Sequence, residues 1–291
     1  MRYIPLFRGV GPVVMLIGLV LTGCAHLPTP SEREQRAEAL ARPAGLLREA
    51  VPTGSFTLTS FTRITRPDLP LSVYIEGDGF AFLSRSQPSA DPTPLKAQAL
   101  ALAAADPAPN VIYLARPCQF TPQHLNPACK VAYWTSKRFA EEAVAAMNQA
   151  VSHFAKRVPG QPLTLIGFSG GGAMAALIAA RRTDVISLRT VAGNLDTVEF
   201  NRLHKTTPMS GSLNAIDIAP RLRNLPQLHY YGAADTVVPG AIAQRFARAT
   251  AGNCTQVRAV PGMSHNGDWA QLWPTLLAEP AHCLTSIEHA H

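Results

Sequence analysis

The sequence is poor in charged residues, and it lacks the basic clusters that mark nucleic-acid-binding proteins. Only 15% of its 291 residues are charged whereas 47% are hydrophobic, which excludes an intrinsically disordered chain. The formal net charge of +7 is scattered, without a long run of Lys and Arg. We therefore expect one globular domain with a solvated basic surface, and we expect no nucleic-acid partner.

Signatures of metal, nucleotide and redox sites are also absent. The sequence has no Cys-x-x-Cys, no His-Glu-x-x-His, no Ser-x-x-Lys, no glycine-rich dinucleotide fingerprint and no P-loop lysine. It therefore predicts neither a metal nor an organic cofactor.

The N-terminus has three zones that are typical of an exported protein. Arg2 and Arg8 give a positive start, an apolar stretch runs from about Val10 to Leu21, and Leu-Thr-Gly-Cys ends at Cys24. The apolar stretch is shorter than the roughly 20 residues that a membrane-spanning helix needs, but it fits a secretory signal peptide. The four residues that end at Cys24 resemble the lipobox of bacterial lipoproteins, whose cysteine is acylated and becomes the new N-terminus.

This resemblance implies a signal peptide over residues 1–23 and a lipid anchor on Cys24, with an uncleaved anchor or an ordinary signal peptide as alternatives. The next residue is Ala25 rather than the Asp that tends to retain lipoproteins in the inner membrane. We expect the outer membrane, with the protein facing the periplasm. The proline-containing, polar segment 24–52 is interpreted as a tether, and residues 53–291 as the folded domain.

The cysteine count suits an oxidising compartment. Besides Cys24 there are four cysteines: Cys118, Cys129, Cys254 and Cys283. An even number in an exported protein indicates disulfides, although four free thiols are the alternative. Of the three pairings that are possible, Cys118–Cys129 and Cys254–Cys283 are favoured because each closes a short loop, worth roughly 2–3 kcal/mol.

Short apolar runs alternate with helical patterns along the domain. The predicted strands are 71–75, 111–114, 163–166, 186–191, 227–231 and 256–260. The predicted helices are 94–105, 135–158, 173–182, 242–249 and 268–277. Helices between strands imply crossover connections, so we expect an α/β protein with a mostly parallel sheet and helices on both faces. The segment 194–224 breaks this rhythm and is either a small cap or a long connection.

The pattern G-x-S-x-G occurs at Gly167-Phe168-Ser169-Gly170-Gly171. It follows the predicted strand 163–166 and precedes a predicted helix, which is the setting of a nucleophile elbow. Small residues on both sides of the serine suit a tight, strained turn. A phosphate-binding turn is the alternative, but its glycine spacing and lysine are missing. We therefore interpret Ser169 as a nucleophile.

A serine nucleophile needs a base and an orienting acid, and downstream loops offer candidates for both. Asp235 follows the predicted strand 227–231, and His265 lies between the last predicted strand and the last helix. Asp196 is a rival for the acid. His229, inside a predicted strand, and His204, which precedes the acid, are weaker candidates for the base.

Residues 55–280 resemble the α/β-hydrolase superfamily at the elbow and at both downstream loops, with the same order of Ser, acid and His. The wider pattern is similar to uncharacterised envelope hydrolases of proteobacteria. The resemblance implies an oxyanion hole made by the Gly170 N–H and a donor after strand 71–75, where Glu76-Gly77-Asp78-Gly79 stands in place of His-Gly-x. Asp78 is the expected donor and Gly79 the next choice.

The paired acids Glu76 and Asp78 also admit a metal or a glycosidase dyad, but a tight loop held by side-chain-to-backbone bonds is favoured. The sequence thus predicts a monomer that hydrolyses small-molecule or lipid-like carboxylic esters. Amide or peptide cleavage by the same three residues is one alternative. A non-catalytic envelope scaffold is another.

The lipobox gives a direct test of anchoring. Cys24→Ala removes the thiol that would be acylated, so incorporation of radiolabelled fatty acid should fall to background and the signal peptide should remain uncut. Labelling of the variant at the wild-type level would contradict the anchor.

Overall fold

The computed structural model describes residues 1, 3 and 27–284, so the predicted signal peptide and Cys24 lie outside the described residues. The described part of the chain contains an eight-stranded sheet in the order β1-β2-β4-β3-β5-β6-β7-β8. Its strands are β1 (Leu47–Thr53), β2 (Phe56–Ile64), β3 (Leu71–Ile75), β4 (Asn110–Leu114), β5 (Leu163–Phe168), β6 (Val185–Val191), β7 (Gln227–Gly232) and β8 (Thr255–Val260). β2 pairs antiparallel with both β1 and β4, and the strands from β4 across to β8 are parallel to each other, which confirms the mostly parallel sheet.

Helices cover both faces of this sheet. They are α1 (Pro30–Ala41), α2 (Gln98–Ala105), α3 (Glu141–Ala155), α4 (Gly170–Ala179), α5 (Thr197–His204), α6 (Gly240–Thr250) and α7 (Trp269–Ala278). Buried side chains of α3, α4 and α6 form one apolar cluster, and those of α1, α2 and α7 form another. No helix among the described residues is both long and apolar enough to cross a bilayer.

The helix predicted over 135–158 is shorter than its pattern suggested, since α3 begins only at Glu141. The N–H groups of Thr135 and Lys137 both donate to the carbonyl of Ala132, which closes a turn before the helix. Residues 135–140 are therefore a loop, and this loop carries a side chain to the candidate site.

The segment expected to be a tether is part of the folded domain from Pro30 onward. Ala37 and Ala41 of α1 are 3% and 0% exposed against the second cluster, and Arg33 donates to the carbonyl of Thr93 at 2.5 Å. β1 then pairs along the whole of β2. The expected boundary at residue 53 is wrong, because a helix with a small-residue face and an edge strand both dock on the domain.

The segment 194–224 connects β6 to β7 and also forms part of one wall of the candidate site. Ala215, Ala219 and Leu222 lie on a 3₁₀ helix, Ala215–Leu222, and are buried in the first cluster. The preceding helix α5 places Phe200 at the cavity described below.

The structure pairs Cys118 with Cys129 and Cys254 with Cys283, the two bridges favoured from the sequence. Their Cα atoms are 5.7 Å and 3.7 Å apart, and the bridged residues are separated by 11 and 29 positions. The first bridge closes the loop that follows β4, and the second ties the residues after α7 to the start of β8.

Replacing both Cys118 and Cys129 by Ala should lower the free energy of unfolding by about 3 kcal/mol, because the unfolded chain then loses a short closed loop. Urea unfolding followed by circular dichroism measures the difference. Wild-type protein treated with a reductant is the control and should lose at least as much. An unchanged unfolding midpoint in the double variant would show that this bridge is not formed.

Candidate active site

Ser169 lies in a strained turn between β5 and α4. Its backbone has φ 51° and ψ −122°, a conformation that non-glycine residues rarely adopt. The turn requires glycine on both sides: a Cβ on Gly167 would lie 2.2 Å from the carbonyl oxygen of Gly171, and one on Gly171 would lie 2.2 Å from that of Ile75. The G-x-S-x-G spacing is thus explained by close backbone packing at the end of a central strand.

Three predicted side chains form a continuous hydrogen-bonded chain at this turn. The Ser169 hydroxyl donates to His265 Nε2 at 3.1 Å, and His265 Nδ1–H donates to Asp235 Oδ2 at 2.8 Å. The other Asp235 oxygen accepts the N–H groups of Val237 and Val238, each at 2.8 Å. Because both carboxylate oxygens are held and the side chain is fully buried, Asp235 fixes the orientation of the imidazole.

The loops that carry Asp235 and His265 are packed directly on each other. The Ala234 N–H donates to the carbonyl of Met263 at 3.0 Å, and a Cβ on Gly232 would lie 2.1 Å from that same oxygen. Trp269 Nε1 donates to the carbonyl of His265 at 3.1 Å. Since β7 and β8 are adjacent parallel strands, both loops leave the sheet at one edge, and this places the acid beside the histidine.

The rival acid Asp196 has a structural role in this fold. Its Oδ1 accepts the Glu199 N–H at 3.1 Å and so caps α5, and its Oδ2 accepts Arg245 Nε at 3.0 Å. The carboxylate is thereby engaged by the helix and by an arginine rather than by His265.

The two rival histidines are bonded elsewhere. His229 lies inside β7, where Nδ1 is 2.9 Å from Thr190 Oγ1, and burial lowers its pKa to about 3. His204 lies at the end of α5 and its Nε2–H donates to the carbonyl of Val237 at 2.7 Å. Neither is hydrogen-bonded to Ser169.

The expected oxyanion donors lie next to each other. Gly170 is the first residue of α4, so its N–H has no acceptor within the helix. The loop after β3 packs on it so closely that a Cβ on Gly170 would lie 2.1 Å from Asp78 Oδ1. The loop that carries Asp78 is therefore in contact with the N-terminus of α4 beside Ser169, and the assignment of Gly170 and Asp78 as oxyanion donors stays a prediction.

Arg116 and Arg138 hold this loop, and sequence reasoning gave neither of them a role. Arg138 Nη1 lies 2.5 Å from Asp78 Oδ2, and Arg116 Nη1 lies 3.5 Å from Asp78 Oδ1. Gln119 Nε2 donates to the carbonyl of Gly77 at 3.0 Å. Burial lowers the Arg116 pKa to about 10, so the guanidinium stays charged at neutral pH. The sequence signal that could have identified Arg116 was its position, because it follows a central strand at the edge of the sheet where Ser169 lies.

Glu76 stands where the superfamily commonly has histidine, and it braces the same loop from within. Its Oε1 accepts the Gly77 N–H at 2.9 Å and the Ala99 N–H at 3.4 Å. Burial raises the pKa of this carboxyl to about 7, against the lowering effect of these hydrogen bonds. The described residues hold no group of three or more His, Cys, Asp or Glu arranged for a metal ion. The tight-loop interpretation of Glu76 and Asp78 fits these contacts.

A cavity of about 610 Å³ opens at Ser169 and His265, within the usual size range of small-molecule sites. Its apolar wall consists of Phe80, Ala81, Phe82, Phe200, Val237 and Val238. Its polar lining includes Asn194, whose Oδ1 is buried and has no hydrogen-bond partner among the described residues. Sequence reasoning did not identify Asn194. It lies just after β6, from which Ala192 and Gly193 separate it.

The sheet order, the elbow and the position of the acid and histidine loops define the α/β-hydrolase fold. Over residues 126–265, just under half of the chain, the sequence matches the family described as Serine hydrolase (FSH1). That range contains Ser169, Asp235 and His265. Among curated protein sequences, none matches this chain significantly.

Solved structures are similar in fold at low sequence identity. Est1E from Butyrivibrio proteoclasticus has a TM-score of 0.55 at 16% identity, over 79% of this chain and 95% of its own. A membrane phospholipase A, described as a bacterial virulence factor, has a TM-score of 0.53 at 16% identity, over 85% and 91%. The acylaminoacyl peptidase of Pyrococcus horikoshii has a TM-score of 0.56 at 10% identity, over 75% of this chain and 37% of its own.

The raised pKa of Glu76 predicts a pH-dependent stability. The folded protein binds the Glu76 proton more tightly than the unfolded chain, whose carboxyl has the ordinary pKa of 4.5, so stability should fall as pH rises from about 4.5 to about 7. Glu76→Gln keeps an acceptor for Gly77 and removes the charge. Relative to wild type it should gain on the order of 2–3 kcal/mol between pH 4.5 and pH 8 in urea unfolding.

Asp217→Asn is the matched control, since this acid is exposed and makes no ion pair in the described part of the chain. It should follow the wild-type pH profile. A Glu76→Gln profile parallel to wild type would mean that Glu76 is not buried in its acidic form.

Proposed function

We propose that the protein is a serine hydrolase that cleaves carboxylic esters, with Ser169 as nucleophile, His265 as general base and acid, and Asp235 as the group that orients His265. The observation that carries this proposal is the hydrogen-bonded chain from Ser169 Oγ to Asp235 Oδ2 at a strained strand-to-helix turn. A serine at such a turn, with its hydroxyl on a buried His–Asp pair, is arranged for nucleophilic attack.

The reaction proceeds in two acyl transfers. Ser169 Oγ bonds to the ester carbonyl carbon while its proton moves to His265 Nε2. The negative charge that develops on the carbonyl oxygen is accepted by the N–H groups of Gly170 and Asp78. The bond to the alcohol oxygen then breaks, and His265 returns the proton to that oxygen. Water attacks the acyl-enzyme by the same route and releases the acid and free Ser169.

The cavity beside Ser169 has a predominantly apolar wall, formed by phenylalanine and valine side chains. Such a wall suits the hydrocarbon part of a small-molecule or lipid-like ester. The name of one structural neighbour, a membrane phospholipase A, agrees with this substrate class, and its likeness extends to the fold alone. Peptide substrates should be assayed beside the esters, because peptide cleavage by the same three residues is the alternative.

We further propose that the protein works as a lipid-anchored monomer of the cell envelope, attached through Cys24 to the outer membrane and facing the periplasm. The lipobox-like sequence before Cys24 supports the anchor, and two disulfides support an oxidising compartment.

Substitutions of the three residues test the mechanism. Ser169→Ala in the full-length chain should lower kcat roughly 10⁶-fold on p-nitrophenyl esters and abolish fluorophosphonate labelling, because the attacking oxygen is gone. His265→Ala should be comparably damaging. Asp235→Asn should cost about 10⁴-fold, since the amide oxygen would stay on the Val237 and Val238 N–H groups, and the NH₂ group would donate to His265 Nδ1 and select the wrong tautomer.

Asp196→Asn is the matched control, because it makes the same chemical change in the rival acid, which caps α5. It should retain turnover within about tenfold of wild type. A crippled Asp196→Asn beside an active Asp235→Asn would reassign the acid. Normal turnover and labelling by Ser169→Ala, with the fold intact by circular dichroism, would disprove the mechanism.

A further inference from the structure

A second groove lies beside the candidate active-site cavity. It has a volume of about 640 Å³ and lies between α1, the start of α2 and the start of α7. Four residues line both spaces: Pro94, Leu95, Lys96 and Gln98. The groove therefore adjoins the space in front of Ser169, and α1, the helix that replaced the expected tether, forms one of its walls.

The groove has an apolar floor and a cationic rim. Ala37, Leu40, Ala97, Ala101 and Ala270 supply apolar surface. Arg36 and Lys96 are exposed and have no ion pair or hydrogen bond within the described part of the chain. Such unpaired cations beside apolar surface suit an anionic group joined to a hydrocarbon part.

The remaining charged lining residues do not cancel this rim. Arg33 is 5% exposed and committed to the carbonyls of Thr93 and Asp91, so it holds α1 in place rather than binding a ligand. Asp268 is the acid of the groove lining, against two uncommitted cations. The uncommitted charges of the groove are thus positive on balance.

The groove lies on the His265 side of the cavity, and this position indicates which part of an ester it would hold. Gln98 Nε2 donates to the carbonyl of Gly267 at 3.4 Å, so the wall shared by the two spaces is tied to the His265 loop. Because His265 returns its proton to the alcohol oxygen, the alcohol part of an ester leaves on this side. The Phe200 and Val237 side of the cavity remains for the acyl part.

We propose that the groove between α1, α2 and α7 binds the alcohol part of the substrate, and that this part carries a carboxylate or phosphate recognised by Lys96 and Arg36. This inference rests on the proposed ester hydrolysis at Ser169. It names the substrate class as esters of anionic alcohols.

Three butyrate esters of identical acyl group test the charge. They are 4-carboxyphenyl butyrate, 4-phosphonooxyphenyl butyrate and the neutral 4-carbamoylphenyl butyrate. In the full-length protein, Lys96→Gln and Arg36→Gln should each lower kcat/KM for an anionic ester about fivefold more than for the neutral ester. Comparing each variant with wild type on the same ester cancels differences in leaving-group reactivity. The larger effect among the two anionic esters distinguishes carboxylate from phosphate. The discrimination should shrink in high salt.

Lys156→Gln is the matched control, because it removes one exposed charge from the end of α3, outside both linings. It should leave all three kcat/KM values at the wild-type level. A second variant, Leu40→Trp, fills the groove and should lower kcat/KM for the three aryl esters more than for methyl butyrate. Leu272→Trp, on α7 but outside the groove lining, should not discriminate between them.

Direct binding separates this proposal from the proposed function. Ser169→Ala should bind intact 4-carboxyphenyl butyrate about fivefold more tightly than the carbamoyl ester in calorimetry, and Ser169→Ala with Lys96→Gln should lose that preference. Charge-selective binding without any wild-type hydrolysis would overturn the ester hydrolase and keep the groove. Hydrolysis with no charge preference, or an equal effect of Lys156→Gln, would overturn the groove. Absence of both binding and hydrolysis would overturn both.

Discussion

The candidate site depends on one constraint, the closeness with which the turn at Ser169 packs on the end of β3. The carbonyl oxygen of Ile75 occupies the space that a side chain on Gly171 would need, and Gly167 meets Gly171 in the same way. This packing forces the positive φ of Ser169 and presents its hydroxyl to His265. It also sets the distance between the α4 N-terminus and the loop that carries Asp78, so the proposed nucleophile and the proposed oxyanion donors are positioned by the same contacts.

The close packing of the turn at Ser169 on the end of β3 also brings charged groups together around the loop that carries Asp78. Asp78 brings a carboxylate next to Gly170, where it would repel an oxyanion if it were unpaired. Arg116 and Arg138 pair with it and leave the three groups with a net positive charge. The neighbouring Glu76 is buried and has its pKa raised to about 7, so part of its negative charge is removed at neutral pH. The loop is thus held by charged groups whose sum favours developing negative charge.

The N-terminal segment from Pro30 onward is part of the folded domain. α1 covers part of the sheet face with Ala37 and Ala41, and β1 adds an edge strand. Arg33 fixes α1 to the segment near residue 93, which borders the cavity at Pro94. Through this contact the segment that follows the predicted anchor also builds one wall of the groove beside the active site.

Periodicity and local motifs in the sequence determined the sheet class, the elbow and the acid and histidine loops. Apolar strands, a glycine-flanked serine and loops placed after strands are local patterns, and the physics that makes them recognisable acts over a few residues. The packing of α1 on the domain was not predicted, because two of its three buried residues are alanines, which carry little hydrophobic signal within the polar stretch that begins at Ser31.

Only the tertiary structure decided which distant residues meet. Asp78 and Arg116 come together because β3 lies beside β4 in the sheet, and Arg138 reaches Asp78 from the loop 135–140, which the sequence pattern had assigned to a helix. Asp196 and Asp235 both follow central strands, and the sequence ranked them without excluding either. Strand order decides between them: β7 lies next to β8, which carries the histidine loop, whereas Asp196 is held by α5 and Arg245.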